Sequence, residues 1–400
     1  MTTELAKNIN WIGHVDWDVR DFHSFNVPRG ATYNSYLVQD DKTAVIDAVK
    51  VSHVSALLRN ITKLTDPAKV DYVVCNHAEQ DHAGGLDELL ATLPNATLLC
   101  NAKCKDALSA YFDTGSWNIQ VVTPDTKISL GNRTLTFIDT PMVHWPESMF
   151  TYIPEEQILF SMDAFGQHTA TSERFDDQYD LETILEEAKS YYANIVTPYS
   201  KQVQRVLESA VSLPIKMIAP SHGLIWRSHI PAIVEAYKHW SGGQYAPKVV
   251  VLFDSMWHST VAIAEAILKG AAQESDKVSV RLLHVRKNPL DRIATEMLDA
   301  AAVALGSPTM NMQMMPMMSA TLTYLKGLKF TPKSAVAFGS YGWANAGQSQ
   351  LDKWIEEANW TRLMPPIQSR FRPTEGVLQQ AEDAGRQLAQ SALAKGIADG

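Results

Sequence analysis

The stretch Asn76–Gly85 reads NHAEQDHAGG. Four side chains able to bind a metal ion, His77, Glu79, Asp81 and His82, fall inside it. The first three are spaced two apart, and His82 follows Asp81 directly. Ligands that alternate along an extended loop can diverge onto two centres, with His77 and Glu79 facing one and Asp81 and His82 the other. The apolar run DYVVC (71–75) reads as a strand leading into the loop, and Gly84-Gly85 opens the helical pattern LDELL. A ligand-dense loop at the carboxyl end of a strand is where α/β folds place their chemistry.

Three later residues stand in equivalent places. His144 lies in PMVHWPES, after the run LTFIDT; Asp163 ends QILFSMD; His222 follows IKMIAP. A lone His or Asp in a loop is usually a turn or capping residue. All of them in order after apolar runs make a candidate set of four His, two Asp and one Glu for two metal ions. Mixed imidazole and carboxylate ligands suit iron, and zinc accepts them too. The three carboxylates leave two ferrous ions with one excess positive charge, which a single hydroxide would neutralise. His23, in RDFHSF, reads as a polar residue lining the site or as a surface residue. Tyr191 and Tyr192 fall on a helical pattern and read as core.

A chain of 400 residues is comfortable for two domains. The net charge of −9 argues against a nucleic-acid partner, which needs basic surface. No apolar run reaches the roughly 18 residues of a membrane span, and the N-terminus has no apolar signal region. Cys75, Cys100 and Cys104 cannot all pair, and there is no second C-x-x-x-C, so neither a Cys-based iron site nor a disulfide framework is expected. A cytoplasmic location fits best.

Residues 1–245 show short strands mixed with helices, among them the hairpin pattern SYLVQDDKTAVIDAV, as in a layered α/β sandwich. SGGQYAPK (241–248) reads as a linker. Residues 246–400 alternate strands and helices, the pattern of a doubly wound parallel sheet. There the buried run VVVLF meets a turn, Ser255, Met256, Trp257, His258, Ser259 and Thr260, that opens a helix. Such a turn offers N–H groups and hydroxyls to a phosphate. G-x-G-x-x-G is absent, so a mononucleotide is expected rather than a dinucleotide. Two loops fit the same site: Ser307, Pro308, Thr309, Met310 and Asn311, then Ser340, Tyr341, Gly342 and Trp343. Tyr341 or Trp343 would stack on a flat ring. Met310–Met318 holds six methionines, read as adaptable packing.

The pattern H-x-E-x-D-H with His144, Asp163 and His222 resembles the metallo-β-lactamase superfamily, and the later three-loop arrangement resembles the flavodoxin fold. The hydrolases have His where this chain has Glu79. The Glu form is similar to the flavodiiron proteins, as are DWDVRDFH, HWPESM, DAFGQH, YYANI and AFGSYGW. The chain is similar to the core of bacterial nitric oxide reductase flavorubredoxins, without the paired C-x-x-C motifs of a rubredoxin. The resemblance implies an αββα metallo-β-lactamase-like domain followed by a flavodoxin-like one. It implies that His77, Glu79 and His144 bind one iron, that Asp81, His82 and His222 bind the other, and that Asp163 bridges them. It also implies FMN, reduction of dioxygen to water or of nitric oxide to nitrous oxide, a rubredoxin or rubredoxin reductase as donor, and a head-to-tail homodimer or tetramer. Two rivals remain: a zinc hydrolase with a flavodoxin-like domain, and an FMN electron carrier with an inactive metal site.

Overall fold

The computed structural model describes residues 2–23 and 25–396. Contacts divide the chain into two compact units, Met1–Tyr191 with Tyr199–Lys238, and Tyr192–Pro198 with His239–Gly400. The division falls within the helix Ile230–Ser241, ahead of the Gly pair. Trp240, at the end of that helix, packs its ring in a tilted arrangement against Tyr192, also of the second unit, with the centroids 5.3 Å apart.

The first unit is a sandwich of two sheets. One runs in the order Thr3–Ala6, Ile9–Trp11, Tyr36–Gln39, Thr43–Ile46, Val70–Val74, Thr97–Cys100, Ile119–Val121. The other runs Lys127–Ser129, Thr134–Asp139, Met149–Ile153, Ile158–Met162, Met217–Pro220. Alternation along a strand sends successive side chains to opposite faces. Tyr36 and Val38 therefore join the core between the sheets, with Phe137 and Phe160. Leu37 points the other way, into a core with Leu57 and Ile61 of the helix Val54–Leu64. Both faces of the first sheet are thus covered.

Asn76 ties the two sheets together where the ligand loop begins. Its backbone N–H and side-chain amide donate to Asp47 at 2.7 and 2.9 Å. Its side-chain oxygen accepts from Thr151 Oγ1 at 2.7 Å, and its carbonyl accepts from the Met149 N–H. Ile158–Met162 pairs in parallel with Met217–Pro220, Met162 opposite Pro220. Asp163 and His222 therefore leave neighbouring strand ends side by side.

In the second unit, the sheet order is Ser279–His284, Ala246–Phe253, Ala300–Gly306, Ser334–Tyr341, with Thr361–Arg362 and Ile367–Arg370 both pairing with the last of these. These pairings are parallel. The three strands from Ala246, Ala300 and Ser334 are almost wholly buried, which is why they read as continuous apolar runs. Among the described residues no helix is long and apolar enough to cross a membrane.

The helices Ser259–Glu274 and Glu375–Lys395 pack at near contact of their backbones. A Cβ on Gly385 would stand 2.1 Å from the Ile267 carbonyl oxygen. Gly385→Ala should therefore cost about 1–3 kcal/mol of stability, the range for overpacking. A Cβ on Gly327, in the helix Pro316–Leu328, would meet nothing within 4 Å. Gly327→Ala should stabilise by about 0.5–1 kcal/mol. Chemical denaturation followed by circular dichroism checks both, and equal effects of the two substitutions would contradict the packing argument.

Candidate metal centre and flavin cavity

Seven side chains converge at the ends of the sandwich strands. His77, Glu79, His144 and Asp163 form one group and Asp81, His82 and His222 another, each with its ligand atoms within 4.8 Å of one another. Asp163 faces both. Its Oδ2 lies 3.4 Å from His77 Nε2 and 3.2 Å from His144 Nε2. Its Oδ1 lies 3.0 Å from His82 Nε2 and 3.3 Å from His222 Nε2. Glu79 Oε2 stands 3.2 Å from both His77 Nε2 and His144 Nε2. Asp81 Oδ2 stands 3.1 Å from His222 Nε2.

These spacings fit metal ions. Ligand atoms about 2.1 Å from a common ion and roughly a right angle apart stand about 3 Å from each other. Hydrogen bonding alone does not satisfy the set. Both oxygens of Asp81, Nε2 of His82, Oδ2 of Asp163 and Nε2 of His222 are buried without a hydrogen-bond partner. Buried polar atoms are rarely left so. A pair of cations would meet all of them at once.

The outer atoms of the ligands are held by residues outside the candidate ligand set. Glu147 Oε1 lies 2.8 Å from His77 Nδ1 and accepts the Ala78 N–H at 3.2 Å. The Thr32 carbonyl oxygen lies 2.7 Å from His222 Nδ1. Both contacts leave Nε2 free to face a metal. Tyr191, expected in the core, is indeed buried, yet its hydroxyl donates to Asp163 Oδ1 at 2.7 Å. His23 Nε2 lies 2.9 Å from Glu79 Oε1, which makes it a lining residue. His168 is buried against the His222 and Tyr191 rings. The one available signal for Glu147 is that it is a carboxylate three residues after His144 in HWPES. Tyr191, His23 and His168 lie in YYANI, DWDVRDFH and DAFGQH, but their contacts with the ligands come from tertiary packing.

Charge pairing sets the protonation of the metal-free site. Despite burial, hydrogen bonds from three histidines hold Glu79 far below the usual carboxylate range. Asp163 is likewise held low, by His82, His144 and His222. The two carboxylates Asp163 and Asp81 outweigh the burial of His222 and push it up to about 10. His168 has no carboxylate partner, and burial pushes it down to about 3, so it stays neutral. Protons and metals therefore compete for the same histidine nitrogens.

Two outcomes follow for metal loading. At neutral pH, uptake of metal by the metal-free protein should release protons, because His222 must give up one that it holds up to about pH 10. Affinity should fall as pH falls, and titration calorimetry in buffers of different ionisation enthalpy counts the protons. Glu147→Gln should weaken metal binding about 10–100-fold by loosening the His77 ring. Unchanged affinity in that variant would rule out the orienting role.

In the second unit, a cavity of about 590 Å³ opens at the carboxyl ends of the parallel strands. Of the residues expected there, Met256, Trp257, Ser259, Pro308, Thr309, Met310, Asn311, Ser340, Tyr341, Gly342 and Trp343 line it. Ser255 and His258, expected at the phosphate end, line an adjoining cavity that shares Met256 with this one. They lie on the phosphate-type turn, where His258 is the N-cap residue of the helix Ser259–Glu274 in a left-handed conformation. Thr260 and Ser307 sit buried beneath. Thr260 Oγ1 is 3.1 Å from Ser340 Oγ, and Ser307 Oγ accepts the Met315 N–H. Met312 and Ala344, on the same two loops, also line it, and Phe371 and Arg372 complete the walls from a segment that was not anticipated. Of the methionine run, Met310 and Met312 face the cavity, Met315 and Met318 are buried, and Met317 is exposed. A flat, largely apolar ring fits such walls, and the buried Ser255 Oγ at the helix entrance has no partner in the protein.

Comparison with known proteins agrees with both halves. A family model described as the ODP family beta lactamase matches residues 31–223, and one for flavodoxin matches residues 251–385. The chain is 41% identical to a nitric oxide reductase of Moorella thermoacetica over 96% of this chain and 97% of that protein. It is 36% identical to the anaerobic nitric oxide reductase flavorubredoxin of Shigella flexneri, over 97% of this chain and 82% of that one. The flavodiiron protein from Giardia intestinalis superposes with a TM-score of 0.96 at 36% identity, covering 99% of this chain and 97% of that one. Rubredoxin oxygen:oxidoreductase from Desulfovibrio gigas gives 0.96 at 35% identity, covering 99% of both. A metallo-β-lactamase-like sandwich bearing two adjoining metal-ligand groups, followed by a flavodoxin-like domain, places this chain in the flavodiiron protein family of oxidoreductases.

Proposed function

We propose that the seven-residue centre holds two iron ions, that FMN occupies the second unit's cavity, and that the protein reduces dioxygen to water, nitric oxide to nitrous oxide, or both. The observation that carries this reading is the Asp163 carboxylate, with one oxygen toward each ligand group. Glu79 adds a second carboxylate to the His77 and His144 side, which favours iron over the histidine-richer zinc of hydrolases. When bound, two ferrous ions would supply two electrons and Lewis acidity to a small gas, and FMN would pass on further electrons.

The chain's own residues hold the charges in place. Asp163 keeps the two ligand groups within reach of one substrate. Tyr191 fixes one of its oxygens. His23 donates toward Glu79 at the more open side of the site, where a proton can be held near an incoming gas. Phe22, Phe25 and His168 stack beside it and narrow the access of water. Both gas reductions consume protons, and the hydrogen bond to Glu79 raises the proton affinity of His23 beside the ligand groups, which serves that demand.

We take the donor to be a rubredoxin or a rubredoxin reductase and the location to be cytoplasmic. A head-to-tail homodimer, with a tetramer built from it, would bring the FMN of one subunit to the irons of another. Trp257, Trp343, Phe371 and Met312 support it, since they leave an exposed apolar rim around the cavity of the second unit. Sedimentation should show a dimer or larger, and a monomer at working concentration would end that part of the reading.

The decisive experiment counts iron and FMN in one sample and mixes the reduced protein anaerobically with dioxygen or nitric oxide in a stopped-flow. Rapid oxidation by either gas is expected. Glu79→Ala and His144→Ala should abolish gas reduction and leave FMN bound. Zinc at full occupancy without gas consumption would favour a hydrolase. Gas reduction that survives both substitutions would overturn the site.

A further inference from the structure

A second polar cavity lies in the first unit and shares no residue with the metal-ligand groups. It has a volume of about 330 Å³, and no acidic side chain lines it. Arg174 forms part of its wall. That residue is 2% exposed, and its Nε and Nη1 have no hydrogen-bond partner. Its Nη2 donates to the Thr171 carbonyl, and its guanidinium lies 4.7 Å from the Trp11 ring centre. Burial pulls Arg174 down only to about 10, so it stays cationic at neutral pH. A buried cation without a carboxylate partner is costly.

Two more cations line the same cavity. Arg59 and Lys63 stand four apart on the helix Val54–Leu64, and therefore on one face. Like charges at that spacing repel. Among the described residues neither is in an ion pair. Asn60, between them, anchors the helix by donating to the Ile12 and Gly13 carbonyls at 2.9 and 3.1 Å. The nearby carboxylates are engaged elsewhere. Glu173 accepts from the Thr171 and Ser172 hydroxyls, and Asp16 lies 3.2 Å from His53 Nε2. Three cations thus line one concave surface with no acidic side chain among its lining residues, Glu173 acting on Arg174 only through space. Trp17, also lining it, leaves much of its indole exposed.

We propose that this cavity is a binding site for a small phosphate monoester carrying a planar ring. The phosphate would lie among Arg59, Lys63 and Arg174, and the ring against Trp17. Guanidinium groups recognise phosphate with charge-assisted hydrogen bonds, and indoles stack on flat rings. The volume admits a ligand about the size of a nucleoside monophosphate and little more.

The test is titration calorimetry on the iron- and FMN-loaded protein, so that the flavin phosphate site is already filled. The probes are adenosine monophosphate, inorganic phosphate and adenosine. Saturable binding of adenosine monophosphate, tighter than either other probe, is expected. Arg59→Gln with Lys63→Gln changes only exposed side chains and should weaken it at least about tenfold. Trp17→Ala should weaken adenosine monophosphate and leave inorganic phosphate unchanged. Arg174→Gln should abolish binding, and the Arg59 and Lys63 pair carries the test if that variant fails to fold. Absence of saturable binding, or binding untouched by the Arg59 and Lys63 pair, would overturn the site. Equal affinity for adenosine monophosphate and inorganic phosphate would overturn the role given to the ring.

Discussion

One carboxylate, Asp163, stands between two groups of histidines, and much of the first unit is arranged to keep it there. It leaves the strand Ile158–Met162 next to the strand that delivers His222, in a fixed parallel register. The first sheet supplies His77, Glu79, Asp81 and His82 from a single loop. Asn76 locks that loop to both sheets before the ligands begin. Sheet pairing alone therefore sets the separation of the two ligand groups. Displacing one strand by a residue would reverse which face its side chains occupy, so register and metal geometry are the same constraint.

Burying three acidic ligands is tolerable only because four histidines surround them. In the metal-free protein the neighbouring carboxylates, working against burial, raise the proton affinity of all four histidines. In the loaded protein the metals take over that charge. Glu147 and the Thr32 carbonyl serve both states, since each faces a ring nitrogen that points away from the centre.

The ligand set was legible because metal chemistry restricts residue types and because strand ends recur along the chain. H-x-E-x-D-H, His144, Asp163 and His222 each follow an apolar run, and the structure gathers all seven into the two groups. The flavin loops were legible for the same reason, at the ends of buried parallel strands. What escaped was set by packing. Tyr191 ends a helix whose pattern says core, and its side chain is in the core; only the three-dimensional path of Asp163 turns its hydroxyl to use. Phe371 and Arg372 reach the cavity from a loop distant in sequence, with no motif to announce them.

The two units answer one electrostatic problem in opposite ways. The metal centre gathers opposite charges until they nearly cancel, so its ions can sit in a dry interior. The flavin cavity uses few charges. It relies on a helix entrance, hydroxyls and aromatic walls, which suit a ligand that brings its own phosphate and a flat apolar ring. The Arg174 cavity follows neither rule, since three cations and no acidic side chain line it. A folded protein keeps such an arrangement at a cost in stability, and an anionic ligand removes that cost.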